Sequence, residues 1–344
     1  MATTNTHSHE LKHLDYLDGW RGLAIVGVLI SHFLPSTGID LGRLGVDIFF
    51  VLSGMLMSQL LFVKRVPLRY FYKRRISRVF PVFIVYVCLI YGVAYYQHNE
   101  EASNFFYTLL FLRTYLPPVP DIWHTGLANG HLWSLNVEEQ CYVLLSLITL
   151  VAFLKGREYR LLFSLVLTAL AIHIFYWLNA SEAPAFYYLR TEVAASYLLL
   201  SAGYSLAKSR WQWVLAPWMI VLAFIATIFC YVIKIANYQL TWLLAPFLLT
   251  ITVNHLGSAP AFVLKILSSK PMCYLGLWSY SLYIWQQPFF YYGIDHGMIW
   301  AVLGDDASTI WLARLGLLAA VFLVSLVSFY CLENPVRQWL NKHW

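Results

Sequence analysis

The sequence predicts an all-α polytopic membrane protein with about ten transmembrane helices and both termini in the cytoplasm. Three observations carry this expectation: the composition, the length of the apolar runs, and the sidedness of the basic residues between them. Of 344 residues, 60% are hydrophobic and only 12% are charged, whereas a soluble domain is closer to a quarter charged. Mean hydropathy is +0.62. Aromatic residues reach 17%, as expected where many helix ends sit at lipid–water interfaces.

A hydrocarbon core about 30 Å thick takes about 20 apolar residues per helix. On that window spans fall at 18–34, 45–63, 79–96, 136–154, 160–178, 189–207, 213–233, 239–255, 272–291 and 308–331. The stretch 104–116, "NFFYTLLFLRTYL", is shorter and contains Arg113, so it reads as an interfacial or re-entrant helix. Residues 1–12 form a polar cytoplasmic tail and 13–340 a single membrane domain. The tail carries no short apolar core with a cleavage site, so the first span is expected to act as its own insertion signal.

Charge sets the orientation. With the N-terminus inside, the inner segments hold Lys12, Arg21, the run from Lys64 to Arg78, Lys155, Arg157, Arg160, Lys208, Arg210, Lys265, Lys270, Arg337 and Lys342. Only Arg43, Arg113, Arg190, Lys234 and Arg314 fall outside, where acids such as Glu100, Asp121, Asp295 and Asp305 collect. That asymmetry follows the positive-inside rule for a plasma or inner membrane. The net charge of +6 sits in short loops between apolar spans, so the expected partner is the bilayer and not nucleic acid. Cys88, Cys141, Cys230, Cys273 and Cys331 lie in apolar runs without metal-ligand spacing and read as packing residues. No metal is expected.

Within the first span, "RGLAIVGVLISHF" places Arg21 and His32 eleven residues apart. Eleven helical steps make three turns plus about 20°, so the two side chains share a face about 16 Å apart along the axis. Taken alone, the pair fits a snorkelling arginine and a histidine in a polar niche. The loop "KRVPLRYFYKRRISRVFP" packs seven basic residues and no acid. Most of that run serves as a topology anchor. Arg75 and Arg78, three apart on one helical face, are in addition suited to a diphosphate or phosphomonoester. ATP, a nucleotide sugar, a polyprenyl phosphate or coenzyme A each satisfy that chemistry; the absence of a Gly-rich loop argues against a P-loop site.

"HLWSLNVEEQCY" puts Glu138 and Glu139 where the fourth span begins on the outer side. Adjacent helical residues point about 100° apart. Glu139 is therefore expected at the headgroups, and Glu138 in the bundle on the face of Cys141 and Tyr142. In "GVDIFFVLSGM", Asp47 stands at the outer start of the second span, the level expected for His32. A carboxylate behind an imidazole fixes its tautomer and stabilises the cation formed on proton uptake. Glu138, or else Asp47, is thus expected to orient His32. A long donor with phosphates at one end and its reactive atom at the other would span from Arg21, Arg75 and Arg78 to His32. An acyl-coenzyme A has that shape.

These residues resemble the acyltransferase-3 family of integral-membrane acyl-CoA-dependent acyltransferases. The matching stretches are "DGWRGLAIVGVLISH", "GVDIFFVLSGML", "RRISRVFP", "HLWSLNVEEQCY", "LGLWSYSLYIWQQPF" and "ENPVRQW", in family order over nearly the whole chain. The resemblance implies about ten helices and transfer of acetyl or a related acyl group from cytoplasmic acyl-CoA. The acceptor would be a hydroxyl of a glycan, a lipid-linked glycan or another surface or exported molecule. By matching position, Arg21 and His32 are the family's essential pair, Arg75 and Arg78 its basic motif, and Glu138 its carboxylate at the start of a helix. His32 is then the general base, with Glu138 or Asp47 behind it, and Arg21, Arg75 and Arg78 hold the donor.

Two departures stand out. Family members often carry a histidine in the "SLYIWQQP" segment, where this chain has Gln286, which cannot titrate. Some members also carry a soluble hydrolase-like domain beyond the last span; these residues run to Trp344, and no such second step is assumed for them. Two rival readings use the same residues. A transporter or flippase would line a substrate or proton path with Arg21, His32 and Glu138, although no inverted repeat or matched pair of broken helices is visible. A non-catalytic scaffold would leave the His–carboxylate pattern unexplained.

Overall fold

A computed structural model describes residues 14–35, 38–116, 125–151, 155–232, 238–298 and 306–344. The tail 1–12, Lys12, Asp121, Lys234, Asp305 and the last residues of the spans expected at 136–154 and 213–233 lie outside the described residues.

Among the described residues the regular structure is helical, with a single isolated bridge, Ile39–Val232, and no strand. Helix α1 (Asp15–Phe33) carries Asp15 and Asp18 in its first turn, where carboxylates meet the positive end of the helix dipole. It stops at Leu34, which is extended ahead of Pro35. The Asp40 carboxylate caps α2 (Leu41–Ser58) by accepting from Arg43 N at 2.9 Å. A π-helical turn at Gln59–Val63 extends this helix. Then come α3 (Leu68–Tyr96), the short α4 (Phe105–Leu109) and α5 (Trp133–Thr149), the last entered through a 3₁₀ turn at Gly130–Leu132. The second half holds α6 (Glu158–Leu178), α7 (Thr191–Trp211), α8 (Pro217–Cys230), α9 (Tyr238–Leu243), α10 (Ala245–His255) and α11 (Ala261–Leu267). It closes with α12 (Lys270–Pro288), α13 (Ala307–Ser328) and α14 (Asn334–His343). Further π-helical turns extend α12 over Phe289–Asp295 and join α13 to α14 over Phe329–Glu333. Asp306 caps α13. Hydrogen bonds from Ser308 Oγ and Thr309 N, 2.6 and 3.0 Å, hold its carboxyl down to about 2.

Among the described residues, four helices are long and apolar enough to cross a bilayer: Leu41–Val63, Leu68–Tyr96, Glu158–Leu178 and Ser308–His343. A fifth candidate is the pair Ala245–Ser258 and Ala261–Leu267, bent by 96°. Apolar side chains project outward on the flanks of α6 (Leu167, Phe175), α8 (Leu222, Phe229) and α13 (Leu312, Leu323), as a lipid-facing surface requires. The protein is a multi-pass membrane protein. Helices α1, α5, α7 and α12 fall outside that set because they are central and carry the polar side chains that face one another inside the bundle. The five cysteines are unpaired; Cys141 and Cys230 are buried, and Cys88 and Cys331 are exposed.

The structure redraws several boundaries. The basic run expected as a loop is helical from Leu68, eleven residues before the apolar window opens at 79. An apolar window cannot see this, because Lys and Arg are good helix formers whose charge says nothing against a helix emerging from the membrane. The span expected at 239–255 breaks between α9 and α10, ahead of Pro246. In the stretch 104–116 only Phe105–Leu109 is α-helical, and Arg113 turns inward to pair with the buried Glu101 at 2.7 and 2.9 Å.

Helix α1 packs against α2 and α12, and α2 against α7. Small residues set these approaches. A Cβ added to Gly276 of α12 would stand 1.9 Å from the Asp18 carbonyl oxygen, and one on Gly54 of α2 would stand 2.0 Å from that of Leu198. These contacts hold Arg21 and His32 against the helices that complete their surroundings.

Candidate active site

His32 and Arg21 open into different cavities. The chamber at the His32 end of α1, outer in the orientation that the charge distribution predicts, has a volume of about 960 Å³ and is lined by His32, Asp40, Arg43, His131 and Trp242 among others. His32 Nδ1 lies 2.6 Å from Gln286 Oε1. The Phe290 ring stacks on the imidazole at 4.2 Å. Gln286 is fully buried and turns its amide N–H groups to the Tyr283 carbonyl (3.4 Å) and Gln287 Oε1 (3.2 Å). Its Oε1 therefore faces the ring as an acceptor, and His32 Nδ1 donates. In the neutral imidazole this leaves Nε2 with its lone pair, the form a general base needs.

The Arg21 end of α1, inner in the same predicted orientation, opens on two adjoining cavities of about 110 and 290 Å³ that share Arg21, Arg75, Arg78, Leu56 and Met57. Arg75 is bound on two sides: Nε donates to Glu139 Oε1 at 2.8 Å and Nη2 to Glu138 Oε2 at 3.0 Å. Its guanidinium also lies over the Tyr142 ring at 4.2 Å. The other Glu138 oxygen accepts from Ser53 Oγ and from Tyr142 OH. Arg21 Nη1 pairs with Asp18 at 2.5 Å. Among the described residues, Arg78 closes no ion pair or hydrogen bond, although its charge reaches the buried Glu333. Its guanidinium is open to this vestibule, as is that of the more exposed Arg74.

The expected carboxylate behind His32 is therefore not Glu138. Helix α3 starts early enough to carry Arg75 into the bundle, and a buried carboxylate pairs with a guanidinium in preference to a neutral imidazole. Glu139, expected at the headgroups, is drawn in by the same arginine, and its side chain is 13% exposed. Nor does Asp47 take that place. It is fully buried, accepting from Arg43 Nε at 2.8 Å and Tyr231 OH at 2.7 Å. The Arg43 head lies between the rings of Trp133 and Trp242, at 5.0 and 4.1 Å. Arg21, Arg75 and Arg78 do converge on one vestibule, where Arg75 is held by carboxylates and Arg78 is open.

The two sides meet at a shared wall. Val46 and Tyr283 line both the outer chamber and the inner cavity. Tyr283 OH is fixed there by the His131 carbonyl (2.9 Å) and by Ser134 Oγ (2.7 Å). Sequence reasoning missed Tyr283, His131 and Arg43 as site residues. His131 opens the "HLWSLNVEEQCY" run, but a lone histidine ahead of an apolar helix carries no spacing signal of its own.

Comparison with known proteins then settles the family. The family model described as an acyltransferase domain matches residues 14–332. The chain belongs to the acyltransferase-3 family. Among its curated relatives in that family is the peptidoglycan O-acetyltransferase OatA of Listeria monocytogenes, 27% identical over 97% of this chain and 57% of that protein. The O-acetyltransferase OatA of Staphylococcus aureus is 26% identical over 95% of this chain and 58% of its own length. The chain thus spans just over half the length of these acyltransferase-3 relatives. No solved structure gives a significant match. For an acyltransferase-3 protein, the arrangement supplies a polar chamber with the His32 imidazole on one side of a thin wall and a cationic vestibule on the other.

Proposed function

We propose that this chain transfers an acetyl or related acyl group from cytoplasmic acyl-CoA to a hydroxyl of a glycan admitted to the outer chamber. One observation carries the reading. Arg21 and His32 stand on one helix, about 16 Å apart by helical rise, and face two cavities that share only a wall at Val46 and Tyr283. That rise is of the order of an extended pantetheine arm. The Listeria relative is named for peptidoglycan, which favours a cell-wall glycan among the possible acceptors.

In this reading Arg21 and Arg78 hold the coenzyme A phosphates, and Arg75, tied by Glu138 and Glu139, shapes the vestibule beside them. The pantetheine arm crosses between Val46 and Tyr283 and presents the thioester to His32. The acceptor hydroxyl oxygen attacks the thioester carbonyl carbon while His32 Nε2 takes its proton. A sugar hydroxyl is a poor nucleophile at neutral pH, and an imidazole is well matched to assist it. The carbon–sulfur bond then breaks, and the departing thiolate recovers the proton from His32. Asp47 serves the outer wall by holding Arg43. The positive-inside distribution supports ten spans with both termini cytoplasmic, an orientation in which the basic vestibule faces the acyl-CoA side.

The test is purified protein in liposomes with acetyl-labelled acetyl-CoA and a peptidoglycan or membrane-glycan acceptor. Label bound covalently to the glycan is the expected result. Movement of label into the vesicle lumen without covalent transfer would instead make the protein a transporter.

A further inference from the structure

We infer that His131 is a second catalytic histidine: its ring donates a hydrogen bond to the thioester carbonyl oxygen and stabilises the tetrahedral oxyanion. The inference rests on the acyl-transfer reading above and assigns that reaction an electrophilic group it otherwise lacks.

The residue is 4% exposed and sits in the 3₁₀ turn that leads into α5, where it lines the outer chamber with His32. Neither ring nitrogen closes a hydrogen bond of normal geometry; the ring has only a loose, poorly aligned contact with the Ile284 backbone carbonyl. A buried imidazole left in this state costs free energy, because its polar atoms have given up water without a replacement. The remainder of the residue is firmly held. Its carbonyl accepts from Tyr283 OH at 2.9 Å and Ser134 Oγ at 3.2 Å, and its ring packs against Tyr86 and Tyr283, both at 5.4 Å between centroids. The side chain is thus fixed in place but at most loosely satisfied, as expected of a group whose better partner arrives with the substrate.

Its position suits that partner. Tyr283, the residue that binds the His131 carbonyl, also forms the wall through which the arm would pass, so the thioester emerges beside His131. The two histidines then divide the work. His32, bound by Gln286 at Nδ1, accepts the hydroxyl proton at Nε2. His131, kept neutral by burial among aromatic rings, offers its N–H to the carbonyl oxygen as negative charge develops there. When the carbon–sulfur bond breaks, that oxygen returns to a carbonyl and His131 has exchanged no proton.

The experiment uses the full chain in liposomes and compares the parent with His131→Ala, His131→Asn and His131→Gln. The two amides place an N–H where Nδ1 or Nε2 stands. His131→Ala is expected to lower kcat about 10²–10³-fold. The KM values for acetyl-CoA and glycan should stay within about threefold, with the acid limb of the pH profile unmoved. One of the two amides should recover at least tenfold of the loss. Acetyl-CoA binding and melting temperature, measured on every variant, separate misfolding from chemistry. Equal loss in all three variants that bind acetyl-CoA normally, or a loss confined to KM, overturns the donor role and leaves the acyl-transfer reading standing. Unchanged kcat in His131→Ala does the same. A parent protein that binds acetyl-CoA but moves no acyl group refutes both.

Discussion

His32 on α1 and Gln286 on α12, 254 residues apart in sequence, share a hydrogen bond of 2.6 Å. A neutral amide thus occupies the place where a carboxylate or second titrating group would be looked for. It fixes which nitrogen of His32 carries the proton without stabilising the imidazolium by charge.

Replacing Gln286 separates these two effects. Gln286→Leu should reduce kcat by about 10–100-fold, the usual cost of losing a group that orients a functional histidine. Gln286→Glu should preserve activity at alkaline pH and move the acid limb of kcat/KM upward by about 1–3 pH units. The sign follows from the added negative charge, which keeps His32 protonated, and so unable to act as a base, to a higher pH. A pH–rate profile of both variants checks this, and an unshifted limb in Gln286→Glu would mean that His32 is not the titrating base.

The inner arginines should behave differently from one another. Arg75→Ala strands Glu138 and Glu139 inside the bundle, and breaking such a pair costs about 3–5 kcal/mol, so its melting temperature should fall steeply. Arg78→Ala breaks no ion pair, and Arg337 and Ser281 still serve the buried Glu333 that Arg78 also faces. It should therefore lose far less stability than Arg75→Ala, but its acyl-CoA Kd should rise more than tenfold, about 1.5–3 kcal/mol. Thermal melting and isothermal binding on the two purified variants decide the matter. An unchanged Kd in Arg78→Ala would make that arginine a topology anchor only.

Helix spacing is testable at Gly276. A methyl group there would stand 1.9 Å from the Asp18 carbonyl, so Gly276→Ala must push α1 from α12 and stretch the His32–Gln286 bond. Loss of both thermal stability and turnover is expected. Gly92→Ala, with nothing within 4 Å of the added atom, is the control and should gain about 0.5–1 kcal/mol from better helix propensity. Equal behaviour of the two variants would show that the close approach at Gly276 is not needed.

The shared wall gives a further handle. Val46→Phe thickens it from one side, and should leave acyl-CoA binding within about threefold while transfer falls at least tenfold, measured with the same labelled donor. Retained transfer would mean that the donor takes another route.

The all-helical membrane class was legible because long apolar runs leave few alternatives, and the convergence of Arg21, Arg75 and Arg78 was legible from helical spacing and charge sidedness. What the sequence hid was depth and pairing. Helical spacing puts Arg75 and Arg78 on one face but carries no signal of how deep that face sits, so in the sequence Arg75 points to a phosphate and Glu138 is left to pair with His32. Once α3 is seen to start at Leu68, the arginine competes for that carboxylate and wins. Gln286 was noticed as a residue that cannot titrate, but its bond to His32 depends on packing between helices distant in sequence. His131 had no local signal at all, since its meaning lies in the absence of a partner.

The most direct measurement compares acyl-CoA binding and acyl transfer in His32→Ala and Arg21→Ala, each reconstituted in liposomes. The account predicts that His32→Ala binds acyl-CoA nearly as the parent does and transfers at least about 10²-fold more slowly, the scale of general-base catalysis, while Arg21→Ala loses binding. A His32→Ala protein that acylates its glycan at the parent rate would contradict it.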